Sequence, residues 1–288
     1  MEKFSLDYRF LHTNISRPFP LLEKLAIDIF DPPGDREEED LHNVDIFIDA
    51  PRLRELYLGR HASPSMFPLR YTIPSKCTCE TVPLAPSLTD FTCSVDHTSL
   101  SHTAVVTHRR LQTLRLTGES CTYFLPLLRL PALENLHLDI IDHMEEDYVL
   151  EFLTHSSESV RKFSTSLETA LSMGWFSIMS GLTDIELYNP VPSSDFFSSL
   201  DRTKDEKFLP HLQSLAFVGC DLFPFSDLIQ ALSSRCEACG EIVKPQAFRG
   251  VPPSDGSIYV PTAQVDALRR LVAGGMEIHL GHEGSNQI

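Results

Sequence analysis

The amino-acid sequence predicts an α/β fold, a solenoid of short parallel strands returned by helices and loops, and three observations carry that reading. Apolar residues recur at relative positions 0, 3 and 5 in copies that start at Leu22, Leu53, Leu88, Leu133 and Leu212, with looser copies at Met1, Leu111, Val160 and Leu182. The copies at Leu22, Leu53, Leu88, Leu133 and Leu212 have a proline two positions ahead, at Pro20, Pro51, Pro86, Pro131 and Pro210. Between the later copies lie stretches with helix caps and helical spacing of apolar residues. Positions 3 and 5 are two apart, so in an extended chain both project to one face while position 4 projects to the other.

Taken in order, Met1, Phe4, Leu6 and Asp7 align with Leu22, Leu25, Ile27 and Asp28, so the chain is expected to begin inside a repeat. Solenoids cover their first apolar face with a capping element, which points to a missing upstream portion or to residues 1–10 acting as a capping strand. The run from Asp31 to Asp40 joins two prolines and a glycine to crowded carboxylates and reads as an exposed loop, with a docking loop for a basic partner as its functional version. Asp142 with Glu145 forms a capping box before Val149, Phe152 and Leu153. Ser193 and Ser194 precede Phe196, Phe197 and Leu200; Ser226 precedes Leu228, Ile229 and Leu232. Residues 250–261, rich in proline, read as a second exposed loop. Thr262 then opens a helix with Val265, Leu268 and Val272 that stops at Gly274 and Gly275, and Met276, Ile278 and Leu280 alternate as a last strand.

The pattern is that of the leucine-rich repeat, L-x-x-L-x-L, in which each unit supplies one strand and a return. No unit can bury its leucines alone, and stacked neighbours build a continuous core. The intervals between copies run from 21 to 35 residues, several beyond the usual ~20–29. The Asn or Cys usual three residues past the strand is matched at Cys220. The expectation is one irregular leucine-rich-repeat-like domain over residues 1–288.

Composition narrows the partners. A net charge of −16 argues against nucleic acid and anionic membrane, since both need clustered Lys and Arg. No apolar run approaches the ~20 residues of a membrane span, and no secretory leader follows Met1. Seven cysteines at irregular spacings suit reduced thiols, so a cytoplasmic or nuclear setting is expected.

No residue pattern supplies catalytic machinery, a metal site or a cofactor cradle. Cys236 and Cys239 form the one C-x-x-C, and the other close pair, Cys77 and Cys79, falls five to six strands away. At ~4.8 Å per strand that is about 25 Å, against a zinc–sulfur distance of about 2.3 Å. Twelve histidines are scattered, with His279 and His282 expected on a frayed C-terminus. The sequence lacks G-x-S-x-G, P-loop and G-x-G-x-x-G motifs.

A working surface is readable instead. If positions 3 and 5 face the core, position 4 faces solvent and supplies Ala26, Tyr57, Thr92, Arg115, His137, Ser164, Glu186 and Ala216, with Tyr188 on the flank. Tyr57, Arg115, His137, Glu186 and Tyr188 are the candidate partner-binding residues, being types that anchor interfaces by aromatic contact, paired hydrogen bonding or a titratable charge.

The units FPLLEKLAI, APRLRELYL and LPALENLHL, with the ending from Leu268 to Leu280, resemble the C-terminal repeat regions of fungal F-box and leucine-rich-repeat proteins. The resemblance implies a non-catalytic module that selects a protein for ubiquitination. In that family an F-box helix bundle engages the Skp adaptor; this chain shows no such segment, so the adaptor is a partner only if an F-box lies upstream. The competing reading is a repeat scaffold or regulator unrelated to ubiquitination.

Overall fold

The computed structural model describes residues 20–27, 50–59, 86–94, 105–118, 125–139, 146–166, 173–220, 223–237, 247–253 and 258–281. They belong to two compact units, residues 1–134 with 140–156, and residues 135–139 with 157–288. The acidic run 31–40, the first copy at Met1, the Asp142–Glu145 capping box and Cys77, Cys79, Cys239 and His282 lie outside the described residues.

In the first unit, β1 (Lys24–Ile27), β2 (Glu55–Leu58) and β3 (Asp90–Ser94) are followed by the two-residue β4 (Val106–Thr107), then β5 (Thr113–Thr117) and β6 (Leu128–Arg129). Parallel pairing runs β1-β2-β3-β5, and β4 pairs with β6 in a separate ladder. Helix α1 (Glu146–Ser156) packs on β6. The second unit holds β7 (Asn135–Asp139), β8 (Lys162–Thr165), α2 (Met173–Ile178), β9 (Asp184–Tyr188), α3 (Ser194–Leu200), β10 (Ser214–Val218), α4 (Phe225–Glu237), β11 (Ala247–Val251), α5 (Thr262–Ala273) and β12 (Glu277–Leu280). Its six strands are parallel and follow chain order. The α/β class and the parallel strands agree with the sequence reading.

Register explains the repeated leucines. Position 3 aligns Leu25, Leu56, Phe91 and Leu114 in the first unit, and Leu136, Phe163, Ile185, Leu215, Phe248 and Ile278 in the second. All of them are buried. Position 5 aligns Leu58, Cys93 and Leu116, then Leu138, Thr165, Leu187, Phe217, Gly250 and Leu280, also buried. Fully burying one such side chain contributes about 1.5–3 kcal/mol, so each strand helps hold its neighbours only while both stay stacked.

The proline also has a mechanism. The position 0 N–H bonds the carbonyl three residues earlier at Leu53→Ala50, Leu133→Leu130, Val160→Ser157, Leu182→Met179 and Leu212→Leu209. Pro51, Pro131 and Pro210 therefore occupy the second position of a tight turn, where a fixed φ is already correct. After the turn, one position 1 carbonyl takes two N–H groups from the next repeat: Glu23 from Arg54 and Glu55, Arg54 from Thr89 and Asp90, Thr183 from Gln213 and Ser214. The strand then leaves through a left-handed residue at Gly118, Asn189 or Gly219, with φ of 100°, 48° and 77°. Glycine and asparagine tolerate that region best.

Several boundaries differ from the sequence reading. Gly250 and Val251, expected to open an exposed loop, complete β11, and Pro252 and Ile258 are buried. The reason is spatial: a Cβ at Gly250 would lie 2.8 Å from Leu280 Cδ2 and 3.2 Å from Ile258 Cδ1, so glycine stands where the repeat predicts a large apolar residue. Helix α5 is preceded by Pro261 without a side-chain cap, and its buried residues are Leu268 and Leu271 while Val272 is exposed. At α3, Ser193 does cap, accepting the Phe196 N–H at 3.2 Å.

Candidate functional site

Position 4 leaves the face opposite the buried leucines, and the two units are taken separately. In the first, Tyr57, Thr92 and Arg115 are register neighbours on β2, β3 and β5. Tyr57 and Arg115 are exposed and Thr92 half-buried, so a phenol and a guanidinium flank a hydroxyl along one row. Ala26, expected on this row's exposed side, is buried. One residue pair closer to the strand starts, Lys24 Nζ meets Glu55 Oε1 at 2.5 Å. Both side chains are largely solvated, and such pairs contribute at most about 1 kcal/mol.

The second unit carries a denser row. His137, Ser164, Glu186, Ala216, Arg249 and His279 occupy position 4 of β7 to β12 in register. His137 Nδ1 and Ser164 Oγ are 2.6 Å apart, the donor being set by the imidazole tautomer. Tyr188, two strands from β7, turns its ring edge-on to His137 with centroids 6.1 Å apart and planes at 77°. Ser166 donates to Asp139 Oδ1 in a short hydrogen bond. This face therefore carries three of the five sequence candidates, His137 and Glu186 in the row and Tyr188 beside it, while Tyr57 and Arg115 belong to the other unit.

Arg249 and His279 escaped the sequence reading. Their strand positions follow from Phe248 and Ile278, but β11 has Pro245 at position 0 and Gly250 at position 5, so its copy fails the leucine pattern. His279, expected on a fraying terminus, is half-buried, and its Nε2 lies 3.0 Å from the Gly281 carbonyl. An open cleft of about 540 Å³ runs along β11 and β12, lined in part by Arg249, Glu277, His279, Val272 and Met276.

The face presents an array of phenol, imidazole, hydroxyl, carboxylate and guanidinium groups held on paired strands. Carboxylates at Asp139, Asp184, Glu186 and Glu277 outnumber the cations Lys162 and Arg249 on the second unit's face.

Among the described residues no group of three or more His, Cys, Asp or Glu could hold a metal ion, and no helix is long and apolar enough to cross a membrane. Cys236 is half-buried on α4; Cys93 and Cys220 are buried. No protein-family model matches the chain, and no curated protein matches it.

Proposed function

We infer that the chain is a non-catalytic protein-binding repeat module of irregular leucine-rich-repeat type, the substrate-recognition part of an F-box-like ubiquitin-ligase receptor. The observation that supports this reading most is the unbroken position 4 row from His137 to His279, a wide presentation of interface-type side chains on strands whose opposite face is core. The ubiquitin assignment rests on the sequence resemblance, and the binding mode on the row. Such a module captures a folded or extended protein by contacts spread over several strands rather than by one deep pocket.

Affinity capture with mass spectrometry tests it. The full chain should recover a defined protein, joined by adaptor and cullin subunits only when an F-box segment precedes it. The variant His137→Ala/Glu186→Ala/Tyr188→Ala should lose at least 90% of that recovery while melting near wild type, because all three lie outside the apolar core. A Tyr57→Ala/Arg115→Ala variant measures the first unit's share. Undiminished recovery by both variants would remove the face from consideration, and an upstream coding sequence without an in-frame F-box favours a scaffold outside ubiquitination.

A further inference from the structure

The second unit buries two guanidinium groups, and among the described residues neither forms a salt bridge, Glu206 being the carboxylate whose charge acts on Arg202. Arg235, on α4, is 2% exposed and Arg202, in the α3–β10 loop, is 8% exposed. Arg235 donates from Nε to the Leu200 carbonyl at 2.8 Å, from Nη1 to Leu209 at 2.9 Å and from Nη2 to Phe208 at 2.7 Å. Arg202 Nη2 donates to the next carbonyl, Pro210, at 2.7 Å. The carbonyls of three consecutive residues, 208 to 210, are thus divided between two cations, which places the guanidinium groups beside each other.

Carbonyl oxygens satisfy donors but carry no net charge. Two like charges taken out of water need a counter-charge, and the buried carboxylate nearest in sequence does not supply it. Asp201 accepts from the Thr203 N–H and hydroxyl through Oδ1 and from Gln230 Nε2 through Oδ2. Glu206 is exposed and acts on Arg202 only at range. Arg202 Nε and Nη1 are buried with no hydrogen-bond partner among the described residues. Burial, and next the neighbouring Arg202, bring the Arg235 pKa down to about 10, the direction expected where positive charge is undercompensated.

We propose that Arg202, with Arg235 as its neighbour, forms a binding site for one small inorganic anion of halide size. Arg202 Nε and Nη1 supply the direct donors, and Arg235 supplies the second positive charge. The site lies away from the position 4 row and is independent of the recognition reading. A bound water could satisfy the same two donors, but it would bring no charge and no dependence on the kind of salt.

Thermal melting of the full chain in sodium chloride against sodium gluconate at matched ionic strength separates these outcomes. The wild type should gain about 2–4 °C in chloride, saturably, over gluconate. Arg202→Met should lose that difference, since both salts then act only generally on the surface. In Glu206→Gln the exposed carboxylate no longer repels the ion, and the chloride concentration at half-effect should fall. Equal melting of the wild type in the two salts, or a chloride gain retained in Arg202→Met, would overturn the site. The Glu206→Gln titration keeps the idea testable if Arg202→Met fails to fold; an unchanged midpoint in that variant counts against it.

Discussion

The two units share one ladder geometry and, among the described residues, fill their cores differently. In the first unit the buried positions around the strands are mostly aliphatic, Leu53, Leu56, Leu58, Leu88, Leu111, Leu114 and Leu116 among them. In the second, Phe163, Trp175, Phe176, Phe196, Phe197, Phe217 and Phe248 are buried and meet mainly edge to face. Helices α2 to α4 bring Trp175, Phe176, Phe196, Phe197 and Phe225 onto the sheet, and rings fill the wider space between a helix and strands. In the second unit strand register is therefore set by the repeat, whereas the volume behind it is filled from the returning helices.

Replacing Phe217 by alanine is the harshest test of that contrast. Its ring contacts those of Phe196, Phe197, Phe223 and Phe248, with centroids 6.2, 5.7, 5.4 and 6.0 Å away. The loss should be about 3–5 kcal/mol, whereas Leu114→Ala in the aliphatic unit, at the neighbouring core position, should sit toward the low end of about 2–5 kcal/mol. Denaturant unfolding of both variants measures the order; a larger loss at Leu114 would mean that the aromatic cluster adds little beyond its area.

Gly250 sharpens the same comparison from the opposite direction. Valine there introduces a Cβ closer to Leu280 than packing permits, so Gly250→Val should cost about 1–3 kcal/mol although most copies carry a larger residue at this position. A neutral or stabilising result, read from the denaturation midpoint, would show that β12 yields to the added carbon.

The smallest expected effect is in the first unit, at a turn. Where other repeats close the turn with a carbonyl, the copy at Leu111 uses the buried His108 ring: Nδ1 accepts the Leu111 N–H at 3.0 Å and that of Arg110 at 3.3 Å. His108→Ala leaves two donors without this acceptor and should cost about 1–2 kcal/mol. Asn in its place offers an amide oxygen and should recover part of the loss. If the alanine variant melts with the wild type, the ring acceptor is dispensable.

The core rows were legible because they depend only on spacing. Leu25 and Leu56 in the first unit, and Leu136 and Leu215 in the second, sit at position 3 of copies that any reader of the chain can align, and parallel stacking then requires each pair to share a face within its own unit. The copy at Val160 shows how much substitution this tolerates, since Thr165 occupies a buried position 5. Strand β11 was not legible, because Pro245 and Gly250 stand where leucines are expected, and Arg249 was lost with it. The pair β4 and β6 was equally hidden, since two residues give no period. Of the candidate site, residue types and outward direction came from the pattern, but the meeting of His137 with Ser164 and Tyr188 did not, because contacts between strands depend on register and rotamer.

By itself the chain determined the periodic part of this protein: parallel strands in sequence order, a leucine row turned inward, proline at the entering turns, an outward row of polar and aromatic side chains. These are local consequences of a two-residue strand period and of fixed proline φ, so no distant contact is needed to read them. Only the tertiary structure decided where a repeat could drop its leucine, which rings fill the second unit, and that two arginines of the α3–β10 region and α4 share three consecutive carbonyls. Those outcomes turn on distances between segments far apart in the sequence, where packing volume and buried charge, rather than periodicity, select the residue.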